Sequence, residues 1–226
     1  VFAACGGLIY KISLGSTTWT ACTTAQTNVT LLGCDGATLV AGSLGYVYVS
    51  KDYGDTWQDT VFPVNFYYIN GLTVFNGNPL AVTDETGGGG IWELSGATWT
   101  NIYDGFGKCR TNCIFSLGTT IFVGTSNGVL VSTDSGVTWT DQNQGLCATF
   151  ITGMISNGSN VLVSSDFESD YTRGLYFSTT SGQTWSKLNA PVDLWTYAVP
   201  LAIQNGRLFV RFNSTVKYTD NLGTNW

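Results

Sequence analysis

Six tryptophans recur at near-even intervals: Trp19, Trp57, Trp99, Trp139, Trp185 and Trp226 are separated by 38, 42, 40, 46 and 41 residues. A period of about 40 residues marks an array of similar units, none of which can bury its apolar face alone. Each tryptophan closes a short motif. The best copies read SKDYGDTW (Ser50 to Trp57) and STDSGVTW (Ser132 to Trp139). A third, STTSGQTW (Ser178 to Trp185), has Thr180 in place of Asp52 and Asp134, and TDNLGTNW at the chain end has Asn221 there. The copy at Trp99 is shortened to LSGATW, and the one at Trp19, SLGSTTW, is out of register by one.

Upstream of each motif, apolar residues alternate with period two, which is the period of strands. The segments 98–104, 112–118, 119–125 and 128–134 read as four successive strands, and ITGMISN, NVLVSSD, GLYFSTT, VPLAIQN, RLFVRFN and TVKYTD continue the pattern. Asn157-Gly158 and Asn205-Gly206 stand between first and second strands, where hairpins need positive φ. Units of about 40 residues with four short strands each are propeller blades. No window keeps a 3.6-residue period, and a sandwich would not space its tryptophans evenly. The expectation is therefore all-β: a single β-propeller domain over 1–226, of about six four-stranded blades, within a longer chain. With strands named A to D, inner to outer, VFAAC (1–5) aligns with the second strand IFVGT (121–125), and the last D strand is cut at Trp226. Roughly 23 of the 24 strands of six blades would then be present.

The motif itself falls at the turn between strands C and D. An Asp or Asn side chain there bonds backbone N–H groups about two residues on. Gly54, Gly136, Gly182 and Gly223 supply the φ > 0 position, and the indole covers neighbouring apolar surface. Ser50, Asp52, Gly54, Trp57, Ser132, Asp134, Gly136, Trp139, Ser178, Gly182, Trp185, Asn221, Gly223 and Trp226 are thus read as structural. A catalytic carboxylate has no reason to recur at the same turn of every blade.

SKDYGDTW and STDSGVTW resemble the Asp-box, or bacterial neuraminidase repeat, of sialidases, sortilin-type receptors, xyloglucanases and photosystem assembly factors. The resemblance covers essentially the whole chain as a repeat pattern. It implies a β-propeller whose boxes are structural and peripheral. A sialidase would need three convergent arginines, an Arg-Ile-Pro segment, a Tyr/Glu pair and an acid/base Asp. Here the arginines are Arg110, Arg173, Arg207 and Arg211, the glutamates are Glu85, Glu93 and Glu168, and Arg-Ile-Pro is absent. A xyloglucanase-like enzyme needs two aspartates facing across a groove, usually between two propellers. With no histidine, triad chemistry has no base.

Composition bounds the partners. Nine basic against fifteen acidic residues, a net charge of −6, leave no basic footprint for nucleic acid. No apolar run reaches the roughly 18 residues of a membrane span. Six cysteines suit an oxidised framework with Cys109 and Cys113 as candidate partners; zinc, without histidine or a second close cysteine pair, and free buried thiols are the rivals. Asn28, Asn157 and Asn213 head possible N-glycosylation sequons. A secreted or cell-surface protein is expected, with neither cofactor nor metal.

Antiparallel strands put the D–A and B–C loops at one end of a blade and the tight turns at the other. The loop end gathers Phe66, Tyr67, Tyr103, Phe106, Arg110, Tyr171, Arg173 and Trp195, a candidate face for sugar or protein recognition; packing of these rings onto blade edges is the bland alternative. Asp166, Glu168 and Asp170 alternate like the first ligands of a calcium loop, but Tyr171 and Phe177 stand where an EF-hand has Gly and Glu. DETGGGG (84–90) lacks the helix and Lys of a phosphate cradle. The leading expectation is a non-catalytic structural or recognition module with protein partners or self-assembly into a surface assembly or fibre. A lectin-like glycan binder and an Asp-box glycoside hydrolase are the alternatives.

Overall fold

The computed structural model describes the chain except residues 14, 23–27, 44–45, 64–68, 84–89, 106–108, 148, 167–172 and 192–196. Its contacts divide into two compact units, Val1–Lys108 and Cys109–Trp226. The described residues hold 22 strands and no helix. They form six small antiparallel sheets, taken in order along the chain, which are the blades of a six-bladed β-propeller.

In the first unit, β1 (Phe2–Cys5), β2 (Leu8–Lys11) and β3 (Thr20–Ala21) make a three-stranded sheet. The second sheet is β4 (Leu31–Asp35), β5 (Thr38–Ser43), β6 (Tyr46–Ser50) and β7 (Gln58–Thr60). The third is β8 (Ile69–Phe75), β9 (Asn78–Thr83), β10 (Gly90–Ser95) and β11 (Thr98–Tyr103).

In the second unit, β12 (Thr111–Leu117), β13 (Thr120–Thr125), β14 (Gly128–Ser132) and β15 (Thr140–Asp141) form one sheet. The next is β16 (Ile151–Asn157), β17 (Asn160–Ser165), β18 (Gly174–Ser178) and β19 (Ser186–Lys187). The last has three strands, β20 (Ala198–Gln204), β21 (Arg207–Phe212) and β22 (Thr215–Thr219). Trp226 does not begin a fourth strand; its ring stands edge-on against Phe212 at 5.0 Å between centroids.

Middle strands are apolar on both faces because both faces are covered. Along β17, Val161 and Val163 join Phe122, Val129 and Val131 of the preceding sheet, whereas Leu162 turns the other way and packs with Leu208, Val210 and Phe212 of the following one. Alternation of side chains across a strand makes this possible. Four of the motif tryptophans, Trp57, Trp99, Trp185 and Trp226, belong to the interface with the sheet before them. Trp185 sits in the cluster with Phe122 and Val131, Trp99 with Val47 and Val49, and Trp57 against Ile9 and Cys22.

Two local features differ from expectation. The pairing of first with second strand slips by one residue at the same place in three sheets, between Ile69/Gly71, Thr111/Cys113 and Ile151/Gly153, and two residues nearer the hairpin in the last, between Pro200/Ala202. Such bulges bend a strand and raise its twist. At the hairpin after β16, Asn157 stays in the strand opposite Asn160, and Gly158 (φ 64°) takes the left-handed position.

The cysteine framework is corrected: all six thiols are free. Cys113 lies on β12, where a β-carbon on Gly124 of the facing strand would come within 2.5 Å of its sulfur. That burial pushes its thiol up to about 12. Cys109 lies before the strand begins and accepts a hydrogen bond from Asn127 instead. The argument for an oxidising compartment from cysteine count falls with the disulfides.

The motif tryptophans differ in exposure, which sets a stability test. Trp185 is 5% exposed and Trp19 is 45% exposed. Trp185→Ala is expected to cost about 3–5 kcal/mol of unfolding free energy, and Trp19→Ala far less. Urea denaturation of the two variants checks the contrast.

Candidate functional site

The recurring turn is densely hydrogen-bonded. In Ser50–Trp57, the buried Ser50 hydroxyl accepts the Gly54 N–H at 2.8 Å and donates to Asp52 at 2.8 Å. The same Asp52 carboxylate accepts the N–H groups of Asp55 (3.1 Å) and Thr56 (2.8 Å) and the Thr56 hydroxyl (2.5 Å). These partners lie three and four residues on, one and two residues further than an Asx turn reaches. Asp134 repeats the arrangement with Ser132 and Thr138.

Where the carboxylate is missing, the turn survives on other oxygens. Thr180 Oγ1 accepts the Thr184 N–H at 3.0 Å, and Asn221 Oδ1 accepts the Asn225 N–H at 2.9 Å. The serine position is also filled by Thr219, which sequence comparison of the serine copies passes over. Its hydroxyl accepts the Gly223 N–H at 2.9 Å, as Ser132 and Ser178 do for Gly136 and Gly182. The glycines are left-handed as expected, at φ 79°, 89°, 80° and 86°. Tyr53, Ser135, Ser181 and Leu222 before them are left-handed too, a cost for L residues that the fixed turn must offset.

These bonds hold the aspartates ionised. The Thr56 hydroxyl, then the Thr56 N–H and the Ser50 hydroxyl, lower Asp52 from 3.8 to about 2. Asp134 is lowered chiefly by the Thr138 hydroxyl. Neither group is poised for proton transfer near neutrality, where a general acid or base works best.

The candidate loop face is described only in part: Phe66, Tyr67, Phe106, Tyr171 and Trp195 lie outside the described residues. Tyr103 ends β11, half-buried, with its N–H on Asn101 Oδ1 at 3.0 Å. Arg110 is exposed; its N–H donates to the Ser126 hydroxyl at 3.1 Å and its carbonyl accepts the Ser126 N–H at 2.9 Å. The Arg173 guanidinium pairs with Asp166, so one carboxylate of the supposed calcium-like triplet is already neutralised by a cation; Glu168 and Asp170 lie outside the described residues. Arg207 and Arg211 of β21 are both exposed: Arg207 lies 4.6 Å over the Tyr218 ring and Arg211 donates to Asn213 O. Asn28, Asn157 and Asn213 are exposed, but Asn157 Nδ2, the atom a glycan would need, donates to Ile203 O at 3.0 Å.

Sequence inspection missed a cleft of about 230 Å³ in the first unit, between the second and third sheets. Its signal was the shortened motif. Ser95 pairs directly with Thr98, so Gly96-Ala97 is a two-residue turn where complete copies carry a longer loop.

No protein-family model matches this chain, and no curated protein matches it. Among solved structures it is similar to YCF48 bound to a D1 peptide, at 16% identity and TM-score 0.63, over 85% of this chain and 65% of that one. It is similar to the GH74 xyloglucanase from Xanthomonas campestris, at 17% and 0.68, over 98% and 42%. The extracellular domain of BT4673 from B. thetaiotaomicron matches at 12% and 0.66, over 96% and 31%. This chain thus spans between 31% and 65% of the length of these three. At such identities the likeness shows the β-propeller fold alone.

Two outcomes test the turns. Ser132→Ala leaves the buried Gly136 N–H without its acceptor and is expected to cost about 1–3 kcal/mol, whereas Ser132→Thr is tolerated, as Thr219 shows; chemical denaturation separates them. Because the folded value of Asp52 is depressed, its contribution to stability is complete above the ordinary carboxylate range and is lost as pH falls towards about 2. Asp52→Asn should therefore lose less thermal stability on acidification than the parent chain, measured by melting at neutral and acid pH.

Proposed function

We propose that this chain is a non-catalytic, extracellular propeller of the Asp-box type, serving as a recognition or structural module for protein partners. The observation that carries this reading is the fate of the recurring aspartates. Asp52 and Asp134 are committed to holding their own turns, with Ser, Thr and backbone donors on them. They are scaffold, and Thr180 and Asn221 do the same work without a carboxylate. Recognition then falls to the opposite end of the blades, where Arg110 and Arg173 of the second unit stand beside the loops.

Two neighbours support the placement and the partner class. One is an extracellular domain, and another is bound to a peptide. The extracellular assignment rests on the first of these, since the free thiols do not argue for it.

Incubation with xyloglucan and with a fluorogenic sialoside is expected to release no product above a heat-denatured control. Turnover abolished by a single substitution such as Asp104→Asn or Asp166→Asn would establish a hydrolase instead. A display panel of extended peptides is the positive arm: Arg110→Ala should weaken whatever binds at the loop end. A panel that stays blank counts against recognition and leaves the structural role.

A further inference from the structure

The second, fourth and fifth sheets bury the third-strand residues that face the next repeat. Three residues before the motif's opening Ser50, Ser132 and Ser178 stand Val47, Val129 and Leu175; one residue before them stand Val49, Val131 and Phe177. All six are buried. The same steps back from Thr219 in the sixth sheet lead to Val216 and Tyr218, which are 57% and 49% exposed. The second strand shows why the sheets differ. Opposite Val47, Val129 and Leu175 stand Gly42, Gly124 and Ser164, whereas Arg211 stands opposite Val216. A β-carbon on Gly42 would come within 2.5 Å of Leu72 in the third sheet, and one on Gly124 within 2.7 Å of Ile151 in the fifth. An arginine, far larger than the residues at these matching positions, excludes a sheet packed in the same way. The outward face of the sixth sheet is therefore a surface of its own, and a second copy stacked on it blade to blade does not fit.

That face is cationic and aromatic. Arg207, Phe209 and Arg211 alternate along β21 and so share it, and the Phe209 ring lies 5.9 Å from that of Tyr218. Arg207 is held 4.6 Å over the Tyr218 ring. Asp220 approaches it at 3.8 Å, but both groups are exposed and such a pair contributes little. Arg211 donates to Asn213 O at 3.0 Å and has no carboxylate partner among the described residues. A guanidinium carries five N–H donors, so each keeps donors for a ligand. Four residues of strand set the two arginines about 13 Å apart at their α-carbons, with Phe209 between them and Tyr218 and Val216 alongside. Two cations around an apolar centre suit a polyanion poorly, since nucleic acid is held by many phosphate contacts and the chain's net charge of −6 opposes it. An extended peptide has the same two-residue period as β21. We infer that this face binds an extended acidic peptide of the pattern acid-x-apolar-x-acid. Its two carboxylates pair with Arg207 and Arg211, and the apolar side chain midway rests on Phe209, Val216 and Tyr218.

Binding at this face rests on the protein-partner reading but is separate from the loop end. Fluorescence anisotropy of a labelled peptide, Ala-Glu-Ser-Phe-Ser-Glu-Ala, titrated with the 226-residue chain, provides the test. The peptide should bind, and Arg207→Gln or Arg211→Gln should each weaken it roughly tenfold, the loss of one charge-assisted contact. The double variant, or glutamine in place of both peptide glutamates, should abolish binding. Lys51→Gln, which removes the same charge from the first unit, and Arg110→Ala should leave the titration as it was. All these positions are exposed, and an unchanged melting temperature confirms folding. In the isotope-labelled chain the peptide should shift the amides of Phe209, Arg211, Val216 and Tyr218. The inference is overturned if the peptide does not bind, if its neutral analogue binds equally, if the arginine variants change nothing, or if a heparin oligosaccharide or single-stranded DNA binds the face and the peptide does not. Peptide binding sensitive to Arg110→Ala alone also overturns it, and leaves the loop-end reading standing.

Discussion

The indole that Trp57, Trp99, Trp185 and Trp226 each lay against the sheet before them is the contact on which the architecture rests. A four-stranded blade is too thin to enclose a core of its own. The apolar surface of β17 is buried only because Trp185 and the strands around it close one side while Leu208, Val210 and Phe212 close the other. Large aromatic burial of this kind contributes more per residue than any polar contact in the chain. The polar turn before the tryptophan serves this contact by fixing where the ring enters the interface.

That division explains how the motif can drift and still work. The turn needs an oxygen at the first position for the glycine N–H and an oxygen at the third for the N–H four residues on. Serine and threonine meet the first need, and carboxylate, hydroxyl and amide all meet the second. The requirement is for geometry rather than charge. It also separates the turns from acid–base chemistry, since a carboxylate shared among three or four donors is held well below neutrality.

Spacing made the fold legible. Tryptophans in register and period-two alternation placed β12 to β14 and β16 to β18 to within a residue or two, because strand, turn and burial preferences agree there. The repeated bulges at Gly71, Cys113, Gly153 and Ala202 left no trace in the alternation, since they change pairing rather than polarity. Cysteine count misled: an even number says nothing about whether two sulfurs face each other, and Cys113 faces the interior. Of the site, the structural turns were visible and the cleft was not. LSGATW reads as a worn copy of the motif, and only the position of the neighbouring sheet turns the deletion into a space.

The outer strands carry a consequence for solubility. β3, β15 and β19 are two residues long and β7 is three, so most blades end in a margin offering one or two free backbone pairs. Short outer strands are poor templates for another chain. A sequence this rich in Val, Ile, Phe and Tyr can therefore keep its sheets from zipping to those of neighbouring molecules without spending charge on the task. β11, six residues long, and β22, five residues long with no strand beyond it among the described residues, are the exceptions, and edge-to-edge aggregation would start at these two.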